Sequence, residues 1–278
     1  MKPVVKMLSI GAALMMALAA CNKDEIPSPS AAGTPGNAGA FKVRMTDSPA
    51  DFASLDAQIT GVSAYLDGTG WVSLNSQAQT VSVLSLQNGV ETTIAFDADA
   101  EAGHYSQLQI TFGDQNELTL HAGAELALVG LNGSSTFDLA FANPGDNEVT
   151  IAIDATVSAS QGADLLVDFN AASSIAQNGN SFVFEPSLQI VAHPDNGIRG
   201  DIHGAVSSFV QLNDGSTSIA TYADANGNFL LRGMADGTYS ITIHGLIDNA
   251  GVMTEETTTI DGIIVADGEI TNMGAISL

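Results

Sequence analysis

Gln58-Ile59-Thr60-Gly61-Val62-Ser63-Ala64-Tyr65 alternates apolar and polar side chains. That is the period of a strand with one face on a core and the other toward water. Far along the chain, Tyr239-Ser240-Ile241-Thr242-Ile243-His244 repeats the pattern. Turn-forming residues recur between such segments: Leu66-Asp67-Gly68-Thr69-Gly70 before Trp71, Gln87-Asn88-Gly89, Gln177-Asn178-Gly179-Asn180, Asn226-Gly227 and Asp267-Gly268. Short alternating runs punctuated in this way predict an all-β protein of packed antiparallel sheets. Helix is expected only as single turns, one at Ser48-Pro49-Ala50-Asp51-Phe52 with proline in the first position, another from Ala171 to Gln177.

Working outward, the strand patterns Phe182-Val183-Phe184 and Leu188-Gln189-Ile190-Val191 stop at His193-Pro194-Asp195-Asn196-Gly197, and a new one begins at Ile198. This punctuation divides the body into two β-sandwich domains, a larger one over residues 41–194 and a smaller one over 195–278. Residues 22–40 are mostly Pro, Ser, Gly, Ala and Asn without apolar periodicity, and read as a flexible tether with a reach of roughly 24 Å.

Before the tether, Lys2 and Lys6 precede an apolar run from Met7 to Ala20, broken only by Ser9 and Gly11. This is the order of a signal peptide, residues 1–20. As a helix the run would reach roughly 21 Å, too short for a permanent span. Leu18-Ala19-Ala20-Cys21 resembles the lipobox of bacterial lipoproteins, in which the cysteine thiol receives a diacylglycerol and becomes the mature N-terminus. The resemblance implies a membrane partner, engaged through acyl chains on Cys21 that each add about 0.8 kcal/mol per buried methylene. Lys23-Asp24-Glu25, after Asn22, resemble the signal that sends some outer-membrane lipoproteins to the cell exterior. The expected location is therefore the bacterial outer membrane, facing outward.

Two longer resemblances cover the body. Val43-Arg44-Met45-Thr46-Asp47-Ser48-Pro49, Trp71-Val72-Ser73-Leu74, Val83-Leu84-Ser85-Leu86-Gln87-Asn88-Gly89, Gly103-His104-Tyr105-Ser106-Gln107-Leu108 and Leu165-Leu166-Val167-Asp168-Phe169-Asn170-Ala171 together resemble the domain of unknown function DUF4382 of bacterial lipoproteins. The match departs at Gln109 and at Glu185 before Pro186, where the family more often carries basic residues, so no anion site is expected there. In the second half, Gly197-Ile198-Arg199-Gly200 and the run Thr221-Tyr222-Ala223-Asp224-Ala225-Asn226-Gly227-Asn228-Phe229-Leu230-Leu231-Arg232-Gly233-Met234 are followed by Gly237-Thr238-Tyr239. These resemble a carboxypeptidase regulatory-like domain, a transthyretin-like sandwich that is not catalytic by itself. The proline usual before the Gly-Thr-Tyr step is replaced by Ala235-Asp236. On residues alone, Asn226-Gly227 supplies a positive-φ turn, and Phe229 with Leu231 shares one face of the following strand.

Charge and motif content narrow the function classes. The 278 residues carry a net charge of −24, and loss of residues 1–20 removes two lysines and no acid. Such a body does not attract nucleic acid, which is bound by basic groups that displace counterions. Scarce lysine beside abundant acid serves solubility and also suits a salty medium. A single cysteine leaves no disulfide framework and no candidate catalytic thiol. The histidines His104, His121, His193, His203 and His244 lie scattered through strand and loop patterns, without metalloenzyme spacing. No Gly-x-Ser-x-Gly elbow occurs. Asp97-Ala98-Asp99-Ala100-Glu101 and Asp224-Ala225-Asn226-Gly227-Asn228 are the two stretches that calcium would favour, but solvated acids account for both. Trp71, beside Val72 and Leu74, is expected in the core rather than as a sugar platform. The sequence thus predicts no catalytic residue, no metal ligand and no cofactor. It points to a non-catalytic binding, adhesion or scaffolding module with an extracellular or envelope protein or a glycan as partner. The alternative is a glycan-binding or hydrolytic accessory of an outer-membrane nutrient-uptake system.

Overall fold

A computed structural model describes residues 38–121, 135–143, 145–179, 181–213 and 219–278, all within one compact unit. Among them strand is the dominant element, and no helix is long and apolar enough to cross a membrane.

Strand Ala38–Ser48 organises the N-terminal part. Its alternation buries Phe41, Val43 and Met45 completely while Lys42 and Arg44 remain on the other face. It pairs in parallel with Ala163–Asn170, from Phe41 opposite Ala163 to Ser48 opposite Asn170, and antiparallel with Thr92–Glu101. Leu188–Ile190 adds a fourth strand beyond Ala163–Asn170. A larger sheet runs in the order Glu148–Val157, Gly103–Phe112, Ser54–Leu66, Glu117–Thr119, Thr136–Asp138. The two sheets meet through aromatic contacts: Phe41 sits edge-on to Tyr105 at 4.9 Å, and Phe112 edge-on to Phe169 at 6.1 Å. Each such fully buried side chain contributes about 1.5–3 kcal/mol by leaving water. The phenol of Tyr105 donates to the Glu101 carbonyl at 2.8 Å, so its one polar group stays satisfied inside the core.

The C-terminal part has a separate hydrophobic cluster that includes Ile198, Val210, Phe229, Leu231, Ile241 and Ile243. Gly197–His203 lies between Asn228–Arg232 and Ile270–Ser277 in one sheet. In the other, the order is Ala220–Tyr222, Ser207–Asn213, Gly237–Asn249, Val252–Val265. Gly227 takes the positive φ expected of the Asn-Gly turn, at 90°, and Phe229 and Leu231 share the buried face.

Four expectations are corrected. The sheets are mixed, because Ala38–Ser48 pairs in parallel with Ala163–Asn170 and Gly197–His203 in parallel with Ile270–Ser277. Alternation determines which side chains face inward and is silent on strand direction, which here depends on partners far away in sequence. Ser48–Phe52 forms no helical turn: Ser48 closes a strand, and its hydroxyl donates to Asp168 at 2.6 Å instead of capping a helix. At the other site the helix is only Ala171–Ser174, capped by Asn170 accepting from the Ser173 amide, and the chain returns at once to strand at Ile175–Asn178. Trp71 is 45% exposed. With Leu74 buried and Val72 packed against the core, the period of two turns Trp71 outward, where it meets Tyr65 edge-on at 5.4 Å.

Candidate functional site: a cleft between the two hydrophobic clusters

Within the apolar runs that build the first sheet, two positions carry a carboxylate. Asp47 follows Phe41, Val43 and Met45 in the alternation of its strand, and Asp168 interrupts Leu165-Leu166-Val167-Asp168-Phe169. Each is only 6% exposed. The parallel register sets Thr46 opposite Asp168 and Asp47 opposite Phe169, so the two carboxylates leave the sheet on opposite faces. Asp47 accepts from the Gln87 side-chain amide at 3.2 Å and from the Ala171 backbone amide at 3.3 Å. Asp168 accepts from Ser48 at 2.6 Å and from Gln189 at 2.9 Å.

Among the described residues neither carboxylate takes part in an ion pair. Burial pushes Asp47 up to about 8, with the neighbouring Asp168 charge adding to the rise and the Gln87 and Ala171 donors opposing it. Burial likewise raises Asp168, against the hydrogen bonds from Ser48 and Gln189. Both residues line a cavity of about 290 Å³. One wall belongs to the N-terminal part, with Leu166 and Ile190, and the other to the C-terminal part, with Ile219 and Leu230.

The two parts are joined at this cleft by the segment Leu86 to Glu91. Thr46 Oγ1 lies 3.0 Å from the carbonyls of both Leu86 and Val90 and holds the segment from behind. In front, Asn88 Nδ2 donates to the Asn228 carbonyl at 2.9 Å, and Asn88 Oδ1 accepts from the Leu230 amide at 2.6 Å. Asn228–Arg232 is an edge strand of its sheet, so its outward amide and carbonyl need partners. The Asn88 carboxamide supplies one acceptor and one donor, as a neighbouring strand would. Asn88 and Gly89 have φ of 60° and 71°, and a Cβ on Gly89 would fall 2.5 Å from Leu230 Cδ2. Only glycine allows this approach. Glu91 completes the clamp by accepting from Arg44 of the N-terminal part and from Arg232 Nη1 of the C-terminal part, the latter at 2.7 Å. Arg44 Nε also donates to Asp164 at 2.7 Å.

The residues singled out in the sequence fall elsewhere. Cys21, with Leu18, Ala19 and Ala20 before it and Lys23, Asp24 and Glu25 after it, lies outside the described residues. Asp97, Asp99 and Glu101 belong to strand Thr92–Glu101 and do not form a cage, and Asp97 accepts from the Asp99 amide at 2.9 Å. The Asn228 side-chain amide donates to Asp224 at 3.1 and 3.2 Å, and the backbone amides of Asn228 and Asn226 donate to its Oδ1 at 2.9 and 2.8 Å, which together hold its carboxylate below the ordinary range. Its role is to shape a turn. Among the described residues no three His, Cys, Asp or Glu side chains gather as metal ligands would. His104 bridges Asp67 at 2.7 Å and Asp154 at 3.0 Å on the surface. Gln109 donates to Glu148 at 3.1 Å. The cleft residues Asp168, Glu91 and Arg232 were not legible as a site, although a carboxylate inside an apolar strand run was the available signal for Asp168.

The DUF4382 family model, described as a domain of unknown function, matches residues 38–186. No curated protein matches the chain in sequence. Among solved structures, the TIE protein of Bacillus anthracis is 9% identical, with a TM-score of 0.20, over 86% of this chain and 34% of its own. This chain thus spans about a third of that protein. The shaft pilin SpaA of Lactobacillus rhamnosus GG, as its D295N mutant, is 10% identical with a TM-score of 0.20, over 87% of this chain and 99% of its own. These scores are too low to indicate a shared topology.

Proposed function

From the premise that the chain belongs to the DUF4382 family, whose name carries no activity, we infer that it is a lipid-anchored, outward-facing envelope protein acting as a non-catalytic binding or adhesion module. In this reading residues 1–20 are removed, Cys21 carries the acyl chains, and residues 22–40 tether two β domains. The second domain, residues 195–278, is a carboxypeptidase regulatory-like sandwich.

The observation that carries the binding role is where the apolar surface lies. Exposed apolar side chains occur on both parts, with Phe96 at 58% in the N-terminal part, and Val206, Leu246, Val252 and Met253, the last two at 62% and 55%, in the C-terminal part, far in sequence from Cys21. Leu246 stands beside Val206, whose amide donates to its carbonyl. Val252 and Met253 lie at the tip of the hairpin Gly237–Asn249/Val252–Val265. Exposed apolar side chains gathered in this way mark contact surfaces, and a protein or glycan of the envelope or extracellular space is the partner that such a placement serves.

Replacing Cys21 tests the anchor. Cys21→Ser is expected to move the protein from the membrane fraction to the soluble fraction, and to abolish its digestion by protease added to intact cells because it no longer stays on their surface. A wild-type protein that resists added protease on intact cells, or that carries no fatty acid, would overturn the reading.

The exposed Trp71 beside Tyr65 favours a second reading, glycan capture for an outer-membrane uptake system. Aromatic faces of this kind stack on sugar rings. Affinity electrophoresis through polysaccharide gels is then expected to show retardation that Trp71→Ala removes. Equal mobility in every gel would exclude it.

A further inference from the structure

Asp168 is a buried carboxylate on the lining of an open cavity and, among the described residues, has no ion-pair partner; the Arg232 side chain lines the same cavity but is paired with Glu91. Its strand register turns it away from the N-terminal core, toward the wall formed by Ile219 and Leu230 of the C-terminal part. Ser48 and Gln189 hold its Oδ2 at 2.6 and 2.9 Å, which fixes the carboxylate in place. The basic side chains nearest the clamp are engaged elsewhere, Arg44 with Glu91 and Asp164, Arg232 with Glu91. A charge buried without a partner is costly unless a proton or an external cation compensates it.

We propose that the cleft is a binding site for a small alkylammonium group, with Asp168 as counter-ion and the aliphatic side chains of Leu166, Ile190, Ile219 and Leu230, set among polar lining residues, receiving the alkyl chain. The cavity volume of about 290 Å³ lies just below the roughly 300–1,000 Å³ typical of ligand sites, and has room for a short alkyl chain. Charge selects the head: an anion would meet Asp168 unshielded, and an alcohol would bring no counter-charge. The walls select the tail. Calcium takes six to eight oxygens, and because Asp47, Thr46 and Thr221 also line the cavity, calcium is the competitor that the titration must exclude. An ammonium that carries its own apolar chain satisfies both the floor and the walls, through a charge-assisted hydrogen bond below and hydrophobic contact above. The same head and tail occur in a free amine and in a lysyl side chain. The site is independent of the anchoring reading, since it rests on residues 46–233 alone.

Purified full-length protein in detergent, titrated calorimetrically with n-pentylammonium chloride, provides the test. Binding is expected, and it should be lost with pentan-1-ol or calcium chloride at equal concentration. Asp168→Asn is expected to weaken it by about tenfold or more, the loss of a hydrogen bond to a charged group. Ala220→Phe fills the cavity from its other wall, leaves Asp168 in place and should block binding as well. This second variant keeps the test decisive if Asp168→Asn fails to fold. Cadaverine and Nα-acetyl-lysine amide then separate the sources: stronger binding of the first assigns a free amine, and of the second a lysyl side chain. No binding of any amine to the wild type, equal binding of calcium, or undiminished binding by folded Asp168→Asn or Ala220→Phe would overturn the proposal. Failure here would leave the membrane-anchor test unaffected.

Discussion

Asp47→Asn is expected to be more stable than the wild type at about pH 9, and about 1 kcal/mol less stable than it below about pH 4. Burial holds the wild-type carboxyl protonated up to about pH 8, while in the unfolded chain it ionises near the ordinary aspartate value of about 3.9. Between those limits the folded protein keeps a proton that the unfolded chain releases. Stability from this group is therefore complete below about pH 4 and declines as pH rises, until the folded carboxyl ionises near pH 8. At roughly 1.4 kcal/mol per pKa unit, the decline across the window is on the order of 5 kcal/mol. Asparagine has no proton to lose and removes this slope. At low pH it retains one acceptor for Gln87 or Ala171 and gives up the other, which costs about 1 kcal/mol. Urea unfolding at a series of pH values checks this. Parallel stability curves for the two proteins would mean that Asp47 ionises like an exposed aspartate.

Glu91→Ala should separate the two hydrophobic clusters into two unfolding events. The side chains of Glu91, Arg44 and Arg232 are 17%, 16% and 24% exposed, so removal of the shared carboxylate leaves two largely buried guanidinium groups without it. Breaking a buried pair costs about 3–5 kcal/mol. Arg44 keeps Asp164, which places the expected loss at the lower end, about 3 kcal/mol. Trp71 makes the outcome readable, since it is the single tryptophan and sits in the N-terminal part. In the wild type, tryptophan fluorescence and far-ultraviolet circular dichroism should change together in urea. In Glu91→Ala, and more so with Asn88→Ala added, the dichroism should show a second transition that the fluorescence does not follow. Coincident transitions in the double variant would show that the clamp contributes nothing to the coupling.

The clamp explains how residues so far apart form one compact unit. A carboxamide, a glycine and a glutamate within a short segment satisfy a strand edge, admit Leu230 and bridge two arginines. Each belongs to the N-terminal part and acts on the C-terminal part. Thr46 stands behind the segment, and Ser48 and Asp168 stand beside it, so the same strand that builds the first core also shapes the cleft. A ligand in the cleft touches both walls and would add to this coupling.

The pattern in the chain was sufficient for some of this and insufficient for the rest. Phe41, Val43 and Met45, or Phe229 and Leu231, show their inward face by alternation, because a strand's side-chain period is a local property of the backbone. The Asn226-Gly227 turn was legible for the same reason, as positive φ is a cost borne by a single residue. Trp71 was misplaced by grouping it with Val72, although the period itself separates neighbours. Helix at Ser48–Phe52 failed because a distant carboxylate, Asp168, claims the serine that would have capped it.

What the sequence by itself determined is therefore local: all-β structure, which side chains turn inward, where the chain turns, and the motif at Cys21. Strand direction, the burial of Asp47 and Asp168, and the pairing of Asn88 with Leu230 were decided only in the tertiary structure. Residues from about twenty to more than a hundred and forty positions apart set those features, and their energies arise from desolvation and from partners brought in by folding. No short window of sequence carries either.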